Sequence, residues 1–135
     1  MKDSEPSVMG LHHAGVSVTD LALSEEWYGR VFGLRRIRVV ELSGVHKVVL
    51  SADGVWPLLS LNLHDANEGE DFDESRTGLD HFAFRVGGPD QLAWWASHFD
   101  ALGIAHSGIK DSPFGALIVL RGPDNIQLEV FGSKA

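Results

Sequence analysis

Three side chains of this sequence have the chemistry of metal ligands: the imidazoles of His13 and His81 and the carboxylate of Glu129. Two neutral imidazoles and one carboxylate suit a divalent ion, and a set of three leaves coordination positions open for a substrate and water. Because the three residues lie far apart in the sequence, spacing alone does not show that they meet. The elements that carry them have to be identified first.

Two stretches of the sequence repeat each other at a constant offset. Residues 10–18 read Gly-Leu-His-His-Ala-Gly-Val-Ser-Val, and residues 78–86 read Gly-Leu-Asp-His-Phe-Ala-Phe-Arg-Val. Gly, Leu, His and Val stand at matching positions in both, so His13 and His81 are equivalent. Such internal similarity indicates two modules of similar build within one chain.

Each module is predicted to contain a strand, a helix and three further strands. In module one (residues 9–64) we predict a strand at 10–18, a helix at 20–32, and strands at 36–42, 45–52 and 57–64. In module two (78–132) the corresponding elements are a strand at 79–86, a helix at 90–102, and strands at 105–109, 115–121 and 125–131. The acidic segment 65–77 lacks periodicity and is predicted to be the linker between the modules, with its acidic run 68–74 in solvent.

The order of these elements predicts the fold class. A four-stranded sheet with one helix on one face leaves its other face free to line a cavity. The predicted class is therefore α+β: two βαβββ modules in one chain that form a curved mixed sheet around a cavity. We expect one domain to cover residues 1–135.

Alternation along the predicted strands indicates which side chains face that cavity. Successive strand residues point to opposite faces, and the apolar set of each strand belongs against the helix. His13, His81 and Glu129 then fall on the cavity face of three separate strands. The same face also carries polar side chains that we expect to contact a substrate: Ser17, Arg85 and Gln127.

Four segments together resemble the glyoxalase, bleomycin-resistance and extradiol-dioxygenase superfamily, also called the vicinal oxygen chelate group. They are residues 11–21, residues 27–34, residues 78–84 and the closing Gly-Pro-Asp-Asn-Ile-Gln-Leu-Glu at 122–129. The resemblance spans Leu11 to Phe131, which is nearly the whole chain. It implies that His13, His81 and Glu129 are metal ligands, with iron, manganese, nickel or zinc as the divalent ion. It also implies a small-molecule substrate and a homodimer, and in some similar proteins both chains supply ligands to one site.

One position departs from the pattern of glyoxalase I-like members. The repeat makes Asn62 the module-one counterpart of Glu129, where those members usually carry a second carboxylate. An amide is a poor ligand and cannot act as a general base near neutral pH, so Asn62 is expected to contact substrate instead. His64 lies two residues further on the same face and is a candidate general base, fourth ligand or substrate contact.

Composition limits the partners and the compartment. The formal net charge of −8 disfavours nucleic acid, and no apolar run is long enough to cross a membrane. There are no cysteines, which excludes disulfides and thiolate chemistry and fits a cytoplasmic protein. Residues 1–8 contain no apolar segment typical of a secretion signal.

Two functions remain open from the sequence. The first is a metal-dependent enzyme, a lyase or isomerase, a transferase or a dioxygenase, in which the metal chelates oxygens of a small organic molecule as a Lewis acid. The second is a metal-free protein that binds a small molecule, as antibiotic-binding relatives in the superfamily do. Metal content distinguishes the two.

Overall fold

The computed structural model describes residues 4–134, which form two four-stranded mixed sheets, each accompanied by one long helix. The predicted domain of 1–135 also includes residues 1–3 and residue 135, which lie outside the described residues. Within residues 4–134, no helix has both the length and the apolar character needed to cross a bilayer.

Module one begins with a short strand and a helix, followed by a three-stranded meander. Its elements are β1 (Ala14–Ser17), α1 (Leu21–Phe32), β2 (Arg35–Leu42), β3 (Val45–Ser51) and β4 (Leu59–His64). Asp20 accepts a hydrogen bond from the backbone N–H of Leu23 and so caps the start of α1, and Gly33 ends the helix with a left-handed φ of 71°. The strand order is β1-β4-β3-β2, with β1 parallel to β4 and the other pairs antiparallel.

Module two repeats this topology. Its elements are β5 (Phe82–Arg85), a 3-10 turn at Pro89–Gln91, α2 (Leu92–Ala101), β6 (Lys110–Ser112), β7 (Gly115–Arg121), a second 3-10 turn at Pro123–Asn125, and β8 (Gln127–Ser133). The strand order is β5-β8-β7-β6, again with one parallel pair between the first and last strands. The α+β class and the two βαβββ modules are therefore confirmed, with the strands arranged as two separate sheets.

Several strand bounds differ from the prediction. The first strand of each module begins at Ala14 or Phe82, so the segments 10–13 and 79–81 precede the strands. In module one, β1 pairs with β4 from Ala14 and Leu59 onward, and Pro57, which has no N–H, lies just before β4. The strand predicted at 105–109 is instead Lys110–Ser112.

Residues 105–109 do not extend β6 because side chains replace part of the ladder there. His106 forms only an isolated bridge with Leu120. The Ser107 hydroxyl accepts the N–H of Val119 at 2.9 Å, and Gly108 has a φ of 74°, outside the strand region. Regular pairing resumes only at Lys110.

Both modules contribute to one hydrophobic core. Fully buried side chains come from each helix and each sheet, among them Tyr28, Leu61, Phe99 and Leu128. Phe32 at the end of α1 joins the halves, since its ring centroid lies 4.8 Å from that of Phe84 and 6.1 Å from that of Phe99.

The acidic segment between the modules contacts the rest of the protein at two points, although most of its residues are exposed. Phe72 is half-buried against the core, and its N–H donates to the Asp124 carbonyl at 2.7 Å. Glu74 accepts two hydrogen bonds from the Arg121 guanidinium, at 2.9 and 2.8 Å. A single aromatic residue and a paired carboxylate thus fix a segment whose composition is otherwise typical of solvated chain.

Candidate metal centre

The alternation expected for the strands of the site is present in the structure. In β8, Leu128 and Val130 are buried, whereas Gln127 and Glu129 on the opposite face are partly exposed. In β1, Val16 is buried while Ser17 is exposed. The face away from each helix therefore carries the polar side chains.

His81 and Glu129 meet in module two. Glu129 lies in β8 beside Ala83 of the parallel strand β5, and His81 immediately precedes β5. The Nε2 atom of His81 is 3.6 Å from a carboxylate oxygen of Glu129. Only 16% of the Glu129 side chain is exposed, against 43% for His81. A partly buried carboxylate beside an imidazole nitrogen is an arrangement that a divalent cation would bridge.

A series of polar contacts reaches the Nδ1 atom of His81, the ring nitrogen that does not face Glu129. Asp80 Oδ1 lies 2.7 Å from His81 Nδ1, and the same oxygen accepts the Gln127 side-chain N–H at 2.9 Å. Arg121 donates to the Gln127 carbonyl oxygen at 3.2 Å. Its bidentate bond to Glu74 lowers the pKa of that carboxyl to about 2. The chain of contacts therefore runs from the linker to the histidine.

His13 and His81 line the same cavity, which has a volume of about 570 Å³. Apolar side chains form most of its wall, including Leu58, Leu79 and Phe84. His13 Nδ1 lies 2.9 Å from His12 Nδ1. Across residues 4–134, no three His, Asp or Glu side chains come together closely enough to hold one ion. One chain thus pairs His81 with Glu129 and places His13 on the cavity that His81 lines, without completing the set.

His64 lines a different cavity, of about 400 Å³, formed with the start of the linker. Its neighbours there include His46 and Asp65. His46 contacts Glu41 through Nδ1 and Asp65 through Nε2, and these hydrogen bonds, first that to Glu41 and then that to Asp65, raise the pKa of His46. The structure therefore does not bring His64 to the cavity that His13 and His81 share.

The predicted substrate contacts have different surroundings. The Asn62 amide donates to the carbonyl oxygens of Val16 and Ser60, at 3.1 and 3.0 Å, and so ties β1 to β4. Ser17 and Gln127 line a mostly apolar cavity of about 210 Å³ that also includes His81. Arg85 is exposed on β5, paired in register with Phe131.

Asp80 is the site residue that sequence reasoning missed. Alternation assigned neighbouring residues to opposite faces, which separates Asp80 from His81. That rule applies only inside a strand, and both residues precede β5. The equivalent contact between His12 and His13 was missed for the same reason, because both residues precede β1. A polar residue directly before each repeated histidine was the available signal.

Comparison with known proteins adds to this geometry. Residues 10–130 match the family model described as the Glyoxalase/Bleomycin resistance protein/Dioxygenase superfamily. No curated protein matches the chain.

Solved structures resemble the chain over nearly its whole length. A glyoxylase/bleomycin resistance protein/dioxygenase domain from Frankia sp. EAN1pec is 28% identical, with a TM-score of 0.79 and coverage of 95% of this chain and 94% of that one. The fosfomycin resistance protein FosX from Listeria monocytogenes, complexed with Mn(II) and 1S,2S-dihydroxypropylphosphonic acid, is 17% identical, with a TM-score of 0.67 and 95% coverage of both chains. A glyoxalase family protein from Enterococcus faecalis is 17% identical, with a TM-score of 0.70 and coverage of 91% and 97%.

Proposed function

Because the chain belongs to the glyoxalase/bleomycin resistance protein/dioxygenase superfamily, we propose that it is a metal-dependent enzyme acting on a small organic molecule. His13, His81 and Glu129 hold one divalent ion, which is iron, manganese, nickel or zinc. When bound, the ion supplies Lewis-acid chelation of substrate oxygens. The observation that carries the proposal is the 3.6 Å approach of His81 Nε2 to Glu129.

The donor atoms at this position fit a divalent ion. Imidazole nitrogen and carboxylate oxygen are ligands common to all four metals named above. The His81 Nδ1 atom is already engaged by Asp80, so Nε2 is the nitrogen left to coordinate. The Listeria FosX structure with Mn(II), which shares the fold, supports a divalent ion here as well.

A homodimer supplies the missing ligand in this proposal. Within one chain His81 and Glu129 meet, while His13 is exposed, lines a cavity together with His81, and is not part of a three-ligand cluster in residues 4–134. We therefore assign His13 of a second copy to the ion held by His81 and Glu129 of the first. This arrangement uses the same two surfaces twice, as twofold symmetry requires.

The cavity wall determines how a substrate is held. Leu79, Phe82 and Phe84 provide apolar surface beside His81, which excludes water and binds the carbon skeleton of a substrate. Ser17 and Gln127 line the adjoining cavity and contribute polar contacts. Arg85 and Asn62 remain predicted substrate contacts, although the Asn62 side-chain N–H already donates to backbone carbonyl oxygens. The general-base role of His64 also stays a prediction, because His64 lines another cavity.

Metal content tests the proposal. Untagged protein purified without chelator is expected to carry about one equivalent of metal per chain, and His81→Ala is expected to lose it while keeping the circular dichroism spectrum of the wild type. His46→Ala is the matched control, because His46 lies outside this cavity.

Two results would contradict the metal assignment. One is undiminished metal in His81→Ala. The other is a wild-type protein that binds no metal after reconstitution with each of the four ions. The latter result favours the alternative, a metal-free protein that binds small molecules in the same apolar cavity.

A further inference from the structure

We propose that Asp80 is a positioning residue that fixes the tautomer and orientation of the His81 ring, so that Nε2 faces Glu129. The inference deepens the proposed function and rests on it, since it explains how one ligand of the metal is prepared. Asp80 itself touches neither substrate nor metal in this role.

The contact geometry gives Asp80 a single effect on His81. Asp80 Oδ1 lies 2.7 Å from His81 Nδ1, within hydrogen-bond distance. An ionised carboxylate can only accept, so Nδ1 must carry the proton in this pair. The other nitrogen, Nε2, then presents its lone pair, and this is the atom that lies 3.6 Å from Glu129.

Asp80 is itself held in place by hydrogen bonds from the neighbouring strand β8. The Gln127 side chain donates to Asp80 Oδ1 at 2.9 Å, and Gln127 in turn receives a hydrogen bond from Arg121 at 3.2 Å. The pKa of Arg121 is raised, mainly by its hydrogen bond to Glu74 and to a smaller extent by the charge of Asp80. Gln127 therefore has a structural partner in addition to the substrate contact predicted for it.

The repeat offers an internal comparison. In module one the position of Asp80 is occupied by His12, and His12 Nδ1 lies 2.9 Å from His13 Nδ1. The residue before each repeated histidine thus contacts the Nδ1 atom of that histidine in both modules. Only in module two is the contacting group a carboxylate anchored by further hydrogen bonds.

Nitrogen NMR on metal-free protein tests the proposal directly. In ¹⁵N-histidine-labelled protein, above the ordinary imidazole pKa of about 6.5, the wild type is expected to show His81 as the Nδ1–H tautomer. The His81 signals are identified by their absence in His81→Gln. Asp80→Ala is expected to shift His81 toward the Nε2–H tautomer, whereas Asp71→Ala, which removes a linker carboxylate outside these contacts, is expected to leave it unchanged.

Zinc affinity provides the second readout. Competition of Zn²⁺ against a chromophoric chelator is expected to show about 10–100-fold weaker binding for Asp80→Ala than for the wild type. Asp80→Asn keeps a side-chain oxygen that can accept hydrogen bonds from Gln127 and from His81 Nδ1. This variant is therefore expected to retain the Nδ1–H tautomer of His81 and to bind zinc with intermediate affinity. This variant also serves if Asp80→Ala fails to fold.

The outcomes separate the two proposals. An unchanged His81 tautomer in Asp80→Ala overturns the positioning role. If the alanine variant does not fold, an Asp80→Asn variant whose zinc affinity matches that of the wild type overturns it instead. A wild type that binds no zinc or other divalent ion overturns the metal site instead, and the tautomer measurement in metal-free protein still reports on Asp80.

Discussion

Tyr28 is the residue whose ionisation the fold controls most strongly. Its side chain is fully buried, and its hydroxyl finds no hydrogen-bond partner within residues 4–134. Burial raises the pKa of Tyr28, and the nearby negative charge of Asp124 raises it further. Asp124 is in turn fixed by the backbone N–H of Thr19, at 2.9 Å, and by its hydroxyl. The folded protein therefore strongly favours the neutral phenol.

This burial predicts a specific alkaline transition. Because the unfolded chain ionises Tyr28 near its ordinary pKa of 10.0 and the folded chain ionises it only at higher pH, the stabilisation is fully present below about pH 10. It is lost as the pH rises further. Tyr28 is the only tyrosine, so ultraviolet absorbance of phenolate reports on it alone. We expect phenolate to appear together with unfolding and not before.

Tyr28→Phe is the companion variant. It removes an unpaired buried hydroxyl. Its free energy of unfolding near neutral pH is therefore expected to match that of the wild type or to be higher by about 1 kcal/mol. Its stability should also decline less steeply above pH 10. Phenolate formation near pH 10 in wild-type protein that is still folded would refute this account.

The residue scale also shows what the sequence could predict about the site. Alternation along β8 placed Gln127 and Glu129 on one face, as the structure does. The repeat identified His13 and His81 as equivalent residues. Asp80 could not be found this way, because its contact with His81 depends on irregular backbone before β5. The separation of His64 from the cavity of His13 and His81 depends on the path of the linker, which composition does not determine.

Among the elements, β8 packs closely against the backbone of the segment that leads into α2. A Cβ atom added at Gly132 would lie 2.6 Å from the Gly88 carbonyl oxygen and 2.9 Å from the Cα atom of Pro89. Gly88 and Pro89 lead into α2, so this contact determines how closely the helix follows the sheet. Only glycine fits at position 132 without movement of the neighbouring backbone.

Gly132→Ala is expected to reduce the free energy of unfolding by about 1–3 kcal/mol, because the added methyl group forces two backbone segments apart. Chemical denaturation monitored by tryptophan fluorescence measures the change. Ser133→Ala, one residue further along β8, is the control and is expected to change stability little. Equal denaturation midpoints for Gly132→Ala and the wild type would show that there is room for a methyl group between β8 and Gly88.

Element order was predictable from the sequence, and element limits were not. Apolar periodicity and turn residues identified both helices and most strands, since those patterns reflect burial. The late starts of β1 and β4 depend on their mutual pairing, and the shift of β6 depends on the Ser107 hydroxyl bonding to the N–H of Val119. Both are contacts between distant parts of the chain, which local pattern does not report.

At the scale of the whole molecule, the proposed homodimer makes a testable statement about where each ligand comes from. If His13 of one copy joins His81 and Glu129 of the other, a mixed dimer of His13→Ala and His81→Ala chains contains one intact site and one empty of both histidines. Each variant alone contains only damaged sites.

Subunit mixing tests this arrangement. The two variants, each metal-poor alone, are unfolded together, refolded and dialysed against Zn²⁺, and the mixed dimer is isolated by two different affinity tags. We expect about one zinc ion per mixed dimer. If the wild-type protein binds zinc but the mixed dimer is metal-free, all three ligands come from one chain.

Strand order has a consequence for how the protein is made. β8 is last in the chain but lies second in its sheet, between β5 and β7. On the ribosome, β5 emerges long before the neighbour it requires, as β1 does before β4, and such non-local pairing slows folding. Glu129 arrives with that final strand. A prematurely terminated product that ends before residue 127 therefore lacks both the strand that joins β5 to β7 and the carboxylate that approaches His81.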